Sequence, residues 1–102
     1  VLDEEDFNFG YEIADGVMRV NHLWLDEKHR GGDAGTFILE TLARIAYYED
    51  CEAIEVSIGG GERTEAFLEK RGFHIIETRE YSERVKEVSE GDYGVDAVRR
   101  VP

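Results

Sequence analysis

The sequence is poor in the residues that punctuate, staple or anchor a chain. Its one proline is Pro102 and its one cysteine is Cys51. Neither a Pro-rich linker, nor a disulfide framework, nor a cysteine-based zinc site is therefore expected. No apolar run approaches the ~18 residues that a membrane-spanning helix requires. Val1-Leu2 is followed by four acids at positions 3 to 6, the opposite of the basic start of a secretory signal. Lysine is also scarce: Lys28, Lys70 and Lys86 are all there are. With 24 acids against 12 bases the formal charge is −12. The chain therefore lacks the Lys/Arg field that general nucleic-acid binding or docking on anionic membranes needs. These absences lead us to expect a soluble cytoplasmic protein.

What is present is enough apolar material for a core. Hydrophobic residues make up 41% of 102 residues, too many for a disordered acidic tail and suited to one domain spanning 1–102. The acids are spread through the chain: residues 1–50 and 51–102 hold 12 each. A diffuse acidic surface with few lysines is the composition expected of a protein working in strong salt, where screening removes most self-repulsion.

Hydrophobic periodicity orders the elements. Phe7, Phe9, Tyr11 and Ile13 alternate as a strand, and Asp15-Gly16 is a hairpin-turn dipeptide. Val17 to Leu25 is the returning strand, with Val17, Arg19, Asn21, Leu23 and Leu25 on one face and Met18, Val20, His22 and Trp24 on the other. Ile38, Leu39, Leu42, Ile45 and Ala46 recur at helical spacing through about Tyr48. Ala53 to Ile58 is a short β-branched strand, Glu62 to Lys70 a helix with Ala66 and Phe67 inward, and Gly72 its stop. Phe73 to Tyr81 and Val95 to Val101 are strands, joined through a loop or helical turn. The order β-β-α-β-α-β-β specifies an α/β (α+β) domain with helices packed on a mixed sheet. Trp24 and Phe73 are expected in the core, and Tyr47-Tyr48 at its edge.

Chemistry concentrates between residues 23 and 36. A glycine-containing loop opening a helix presents unpaired backbone N–H groups beside the positive end of the helix dipole, a site suited to phosphate or pyrophosphate. Arg30 would add charge-assisted bonds. A loop that merely turns a strand into a helix is the competing reading.

Arg30-x-x-Asp33-x-Gly35, followed by Ile38, Leu39, Leu42 and Ala46 in register, resembles the pyrophosphate loop and first buried helix of the GCN5-related N-acetyltransferases (GNAT family). Ala66 to Phe73, ending in Lys70-Arg71-Gly72-Phe73, is similar to that family's helix leading into a Gly-Phe strand start. The resemblance covers residues 10 to 101. It implies a GNAT-like sheet, acetyl-CoA as co-substrate and an amine acceptor. Backbone groups of Gly31, Gly32, Asp33, Ala34, Gly35 and Thr36 would cradle the pyrophosphate, while Leu23 and Leu25 would pair with the pantetheine arm. The sequence also departs from the pattern. Asp33 stands where the family has glycine, Gly61 where many members have asparagine, and Leu68 where many have the tyrosine that protonates the leaving thiolate. A shifted register, His29-x-x-Gly32-x-Ala34, restores the glycine but spoils the helix alignment. His22 is the one group of its strand able to accept a proton near neutral pH; its place beside Val20 and Trp24 alternatively makes it a packed core histidine. His22, His29 and His74 have no metal-site spacing.

The family's elements before the first hairpin are reduced to at most about nine residues here, so a homodimer or a partner would complete the acceptor cleft. Two other readings stand beside the enzyme: a GNAT-like binding or assembly module without catalysis, and an acidic decoy for a nucleic-acid-binding protein. The salt reading has a direct check. Thermal unfolding should shift upward by several degrees between about 0.1 M and about 1 M KCl, as the Debye length falls from about 10 Å to about 3 Å; an unchanged or lower Tm would contradict it.

Overall fold

Turn chemistry starts the fold. In the computed structural model, which describes residues 4–30, 33–87, 91 and 93–102, Asp15 (φ 52°) and Gly16 (φ 76°) both take the left-handed conformation. That is the geometry of the tight hairpin turn matching strand twist. It joins β1 (Phe7–Ala14) to β2 (Val17–Leu25) in an antiparallel pair. After a 3-10 turn at Glu27–His29 come α1 (Ala34–Tyr48), β3 (Ala53–Ile58), α2 (Gly61–Lys70), β4 (His74–Glu80), the single-turn α3 (Glu83–Lys86) and β5 (Tyr93–Arg100). The sheet order is β1-β2-β3-β5-β4, with β2 and β3 parallel and the other neighbours antiparallel. The expected mixed sheet with packed helices is therefore present, and α3 is the anticipated helical turn.

Each long helix ends through its own backbone. At the end of α1, the N–H of Cys51 donates to the carbonyl of Ala46 (2.9 Å) and that of Asp50 to Tyr47 (3.2 Å). At the end of α2, Phe73 donates to Leu68 and Gly72 to Glu69, both at 3.1 Å. Both are Schellman caps, which need one left-handed residue. Asp50 (φ 58°) fills that place in one and Gly72 (φ 84°) in the other. The Gly72-Phe73 pair is thus a helix stop: glycine supplies the positive φ, and the next residue turns back into the core, where Phe73 is buried.

One face of the sheet carries the core. Met18 and Val20 of β2, Ile54 and Val56 of β3, and Val95 and Ala97 of β5 are buried with Ile38, Leu39, Leu42 and Ala46 of α1 and Leu68 of α2. The other face is polar. Arg19 Nε donates to Glu55 Oε2 (3.2 Å), and Ser57, Arg79 and Asp96 are mutually bonded. An antiparallel-rich sheet tolerates this, with one face packed and one wet.

Several expected positions differ. Ala66 is exposed, Phe67 is half-buried against the core as expected, and Leu68 is the fully buried residue of α2. Tyr47 and Tyr48 are 60% and 80% exposed instead of edging the core. The largest difference lies in β2. Tyr11 opposes Val20 while Gly10 opposes His22, leaving Asn21 as an extra residue. Such a bulge resets the period-2 alternation. Met18 and Val20 face the helices before it, and the half-buried Leu23 and Leu25 pack against the core after it. His22 and Trp24 are turned out, so neither is the packed core residue that unbroken alternation makes it; Trp24 is 40% exposed.

Leu68 gives a direct check on the packing. Leu68→Ala should cost about 2–5 kcal/mol in urea unfolding. Leu68→Tyr, which installs the phenol that many GNAT members carry there, should destabilise by about 1–3 kcal/mol.

Candidate active site

The bulge at Asn21 coincides with the end of sheet continuity. β2 and β3 pair only from Val17↔Ala53 to Val20↔Val56. Beyond that point β2 continues beside β1, from Gly10↔His22 to Phe7↔Leu25, and β3 continues beside β5, through Ser57↔Asp96 and Ile58↔Val95. The sheet forks. Between its arms lies a cleft of about 370 Å³. Asn21, His22 and Leu23 line one side, Ser57, Ile58 and Gly59 the other, and Arg79, Tyr81 and Gly94 complete it. The β2 edge at residues 21–25 has no strand partner on the β3 side among the described residues. Its backbone groups are open to an extended ligand that carries amides.

His22 stands in this cleft, as does Leu23. At Leu25, the backbone carbonyl accepts a 2.7 Å hydrogen bond from Arg30 Nε. Arg30 thus braces the strand end with at least part of its guanidinium. Gly31 and Gly32 lie outside the described residues. Asp33 is the N-cap of α1: its carbonyl accepts from Phe37 N (2.9 Å), while its exposed carboxylate makes no capping hydrogen bond. Ala34, Gly35 and Thr36 form the first turn of α1.

Two of those first-turn residues are engaged in packing. A Cβ on Gly35 would stand 3.0 Å from the Phe67 ring, so Gly35 lets α2 close onto α1. The Thr36 hydroxyl accepts from Arg71 Nε at 2.9 Å and from a second nitrogen of the same guanidinium. Arg71 also lies 4.1 Å over the Phe67 ring and donates to the Phe67 carbonyl (3.2 Å).

The loop before α1 is anchored from β1. Asp6 is 5% exposed. Lys28 Nζ lies 3.0 Å from Asp6 Oδ1, and His29 Nε2 lies 3.1 Å from Asp6 Oδ2, a contact that becomes an ion pair when the imidazole is protonated. The Asp6 carbonyl also accepts from Asp26 N at 2.7 Å. The basic residues of this loop are therefore held by a buried acid that periodicity does not single out.

The sequence reading also missed the far wall of the cleft. Ser57 Oγ donates to Asp96 Oδ1, and an Arg79 Nη donates to both, each at 2.7 Å. The half-buried Tyr81 lays its hydroxyl over Gly59 and Gly94. Asp96, an acid amid the apolar run of β5, was the one local sign; the rest converges only through long-range pairing.

The fold is that of the GNAT acetyltransferases. The IAA acetyltransferase from Bacillus cereus ATCC 14579 superposes with a TM-score of 0.74 at 17% identity, over 93% of this chain and 69% of that one. A GNAT family acetyltransferase from Elizabethkingia anophelis, solved with acetyl-CoA bound, gives 0.69 at 13% identity, over 93% and 68%. The ribosomal-protein-S18-alanine N-acetyltransferase from Escherichia coli gives 0.74 at 11% identity, over 94% and 61%. This chain thus spans about 61% to 69% of the length of these structures. No protein-family model matches the sequence, and no curated protein matches it either.

Asp6 is the residue through which the site's architecture can be tested. Asp6→Ala leaves Lys28 and His29 without that carboxylate and should destabilise the fold by about 1–3 kcal/mol, read by chemical denaturation. Asp6→Asn, which preserves the shape, should cost less.

Proposed function

We propose that this chain is an N-acetyltransferase that moves the acetyl group of acetyl-CoA to a primary amine. The observation that carries the reading is the fork between β2 and β3. The edge of β2 that walls one side of the cleft and the N-terminus of a 15-residue helix follow one another along the chain. The residues fit the co-substrate in kind. The β2 edge from His22 to Leu25 offers N–H and C=O groups to the pantetheine amides, and the amides of the α1 first turn, with Gly31, Gly32 and Arg30 before them, suit its pyrophosphate. Asp33 is the exception, a carboxylate at the end of the helix where an anion would sit; two such charges about 4 Å apart repel by about 1 kcal/mol in water.

The reaction needs little covalent help. The amine nitrogen attacks the thioester carbonyl carbon, a C–N bond forms, and the C–S bond breaks with its electron pair leaving on sulfur. Holding the two reactants in one cleft supplies much of the acceleration, and a backbone N–H of the β2 edge stabilises the developing oxyanion. His22 takes the proton lost by nitrogen. Leu68 has no proton to give and is sealed in the core. Tyr81, the phenol that lines the cleft, is the donor available to the departing sulfur.

The same reading extends to the setting. One GNAT-like domain of 102 residues would work in a salt-rich cytoplasm, with a second copy or a partner completing the acceptor side. A catalytically silent binding module is the second reading, and Asp33 favours it.

Calorimetric titration of acetyl-CoA in high-salt buffer separates the two. Binding followed by release of free thiol in the presence of amines supports the enzyme; no heat at millimolar acetyl-CoA sinks it. Asp33→Gly should tighten binding about fivefold, the equivalent of the ~1 kcal/mol repulsion removed, and an unchanged affinity would displace the pyrophosphate from this loop.

A further inference from the structure

The one charged side chain among the described residues that line the cleft is a base. In a protein with twice as many acids as bases, the cleft wall contains one arginine, Arg79, and no acid among its described residues. The other polar side chains there are Asn21, His22, Ser57 and Tyr81.

Arg79 is also only partly committed. One guanidinium nitrogen makes both of its bonds, to Ser57 Oγ and to Asp96 Oδ1. That leaves Nε and the other terminal nitrogen, on a side chain that is 57% exposed. Asp96, at 24% exposure, lies beneath it and does not line the cleft. The pair is net neutral, but Asp96 and Ser57 hold one guanidinium nitrogen in place, and the remaining N–H groups of a side chain that lines the cleft are left to a ligand. A guanidinium presenting two N–H groups matches a carboxylate bidentately. Arg79 pairs with Gly94 on the polar face of the sheet, away from α1 and α2. It is therefore on the opposite side from the helix N-terminus assigned above to the pyrophosphate.

We infer that the acceptor is an amine that also carries a carboxylate, an α-amino acid or a molecule ending in one, and that Arg79 is its specificity-determining residue. The inference rests on the acetyl-transfer reading. The carboxylate docks on Arg79, and the amino nitrogen is directed across the cleft towards His22. The overall charge of −12 does not decide the matter. Surface charges beyond a Debye length of about 8 Å at physiological salt are largely screened, so the bound acceptor responds to the groups at the cleft, above all the N–H groups that Arg79 does not share with Asp96.

The test compares matched acceptors: phenylalanine with phenethylamine, and leucine with isoamylamine, each pair differing by the carboxylate. Acetyl-CoA binding is measured first by calorimetry. The expected result is a kcat/KM at least about tenfold higher for each amino acid. In Arg79→Gln that advantage should fall about 10- to 100-fold, the range of one charge-assisted hydrogen-bonded pair. The readout is the ratio of kcat/KM for amino acid over amine within each variant, so a general change in activity cancels, and Arg79→Lys should recover part of the preference. Equal use of amine and amino acid overturns the inference. So does an Arg79→Gln effect confined to the acetyl-CoA KM, which would assign the guanidinium to a coenzyme phosphate. Binding of acetyl-CoA with no carboxylate preference removes this inference alone; absence of binding removes the acetyl-transfer reading and this inference with it.

Discussion

The extra residue in β2 is the constraint on which the site depends. A regular strand from Val17 to Leu25 would keep Met18, Val20, His22 and Trp24 on one face and allow β3 to pair along its whole length. Inserting Asn21 opposite the Gly10–Tyr11 junction turns Leu23 and Leu25 to the core instead. It also ends the parallel ladder at Val20↔Val56. Hydrogen bonds that β2 and β3 would otherwise exchange are left to a ligand or to water. Bulges concentrate at such places because they re-aim side chains and terminate pairing in one step. Here they bring His22 into a cleft whose far wall belongs to three other segments of chain.

The helices hold that fork rigidly from behind. α1 and α2 meet where Gly35 admits the Phe67 ring and where Arg71 binds Thr36. Both Gly35 and Thr36 belong to the loop-to-helix stretch that reads as a phosphate motif. In the structure both residues serve packing: the close approach of α2 fixes the direction in which the first turn of α1 points. Asp6 does the corresponding work from the other side, tying Lys28 and His29 to the start of β1. Lys28 and His29 after β2 and the first turn of α1 are thus each tied to a neighbouring part of the fold.

The parts of this fold that were legible in the sequence are those governed by local chemistry. Asp15-Gly16 dictates its turn, Gly72 its helix stop, and the β-branched run Ala53 to Ile58 its strand, and each lies where the pattern places it. The stripe Ile38, Leu39, Leu42 and Ala46 is legible for the same reason. The illegible parts are non-local. A bulge adds one residue to a strand without altering its composition, so His22 and Trp24 read as inward when they are not. Tyr47 and Tyr48 are apolar at a helix end, but no element among the described residues covers them. Arg79, Ser57 and Asp96 are ordinary surface residues on three strands until the order β3-β5-β4 stacks them side by side.

Charge shows most clearly how a global property and a local one diverge. Most exposed ion pairs on a polar sheet face contribute little to stability, about 0–1 kcal/mol each, and Arg19–Glu55 is of that ordinary kind. Arg79–Asp96 differs in position more than in strength. The acid is the more enclosed partner and the base the more exposed, at 24% against 57%, so the pair turns its cationic side towards the cleft. A reader of composition sees an acidic protein and assigns it cationic ligands. At the distances over which a bound acceptor interacts, the solvent screens most of those acids, and the groups that remain effective are the few lining the cleft. Among the described ones the one charged side chain is Arg79, with Asp96 bonded to it. The composition thus sets the sign of the long-range field, whereas the pairing order of five strands determines which side chains line the cleft.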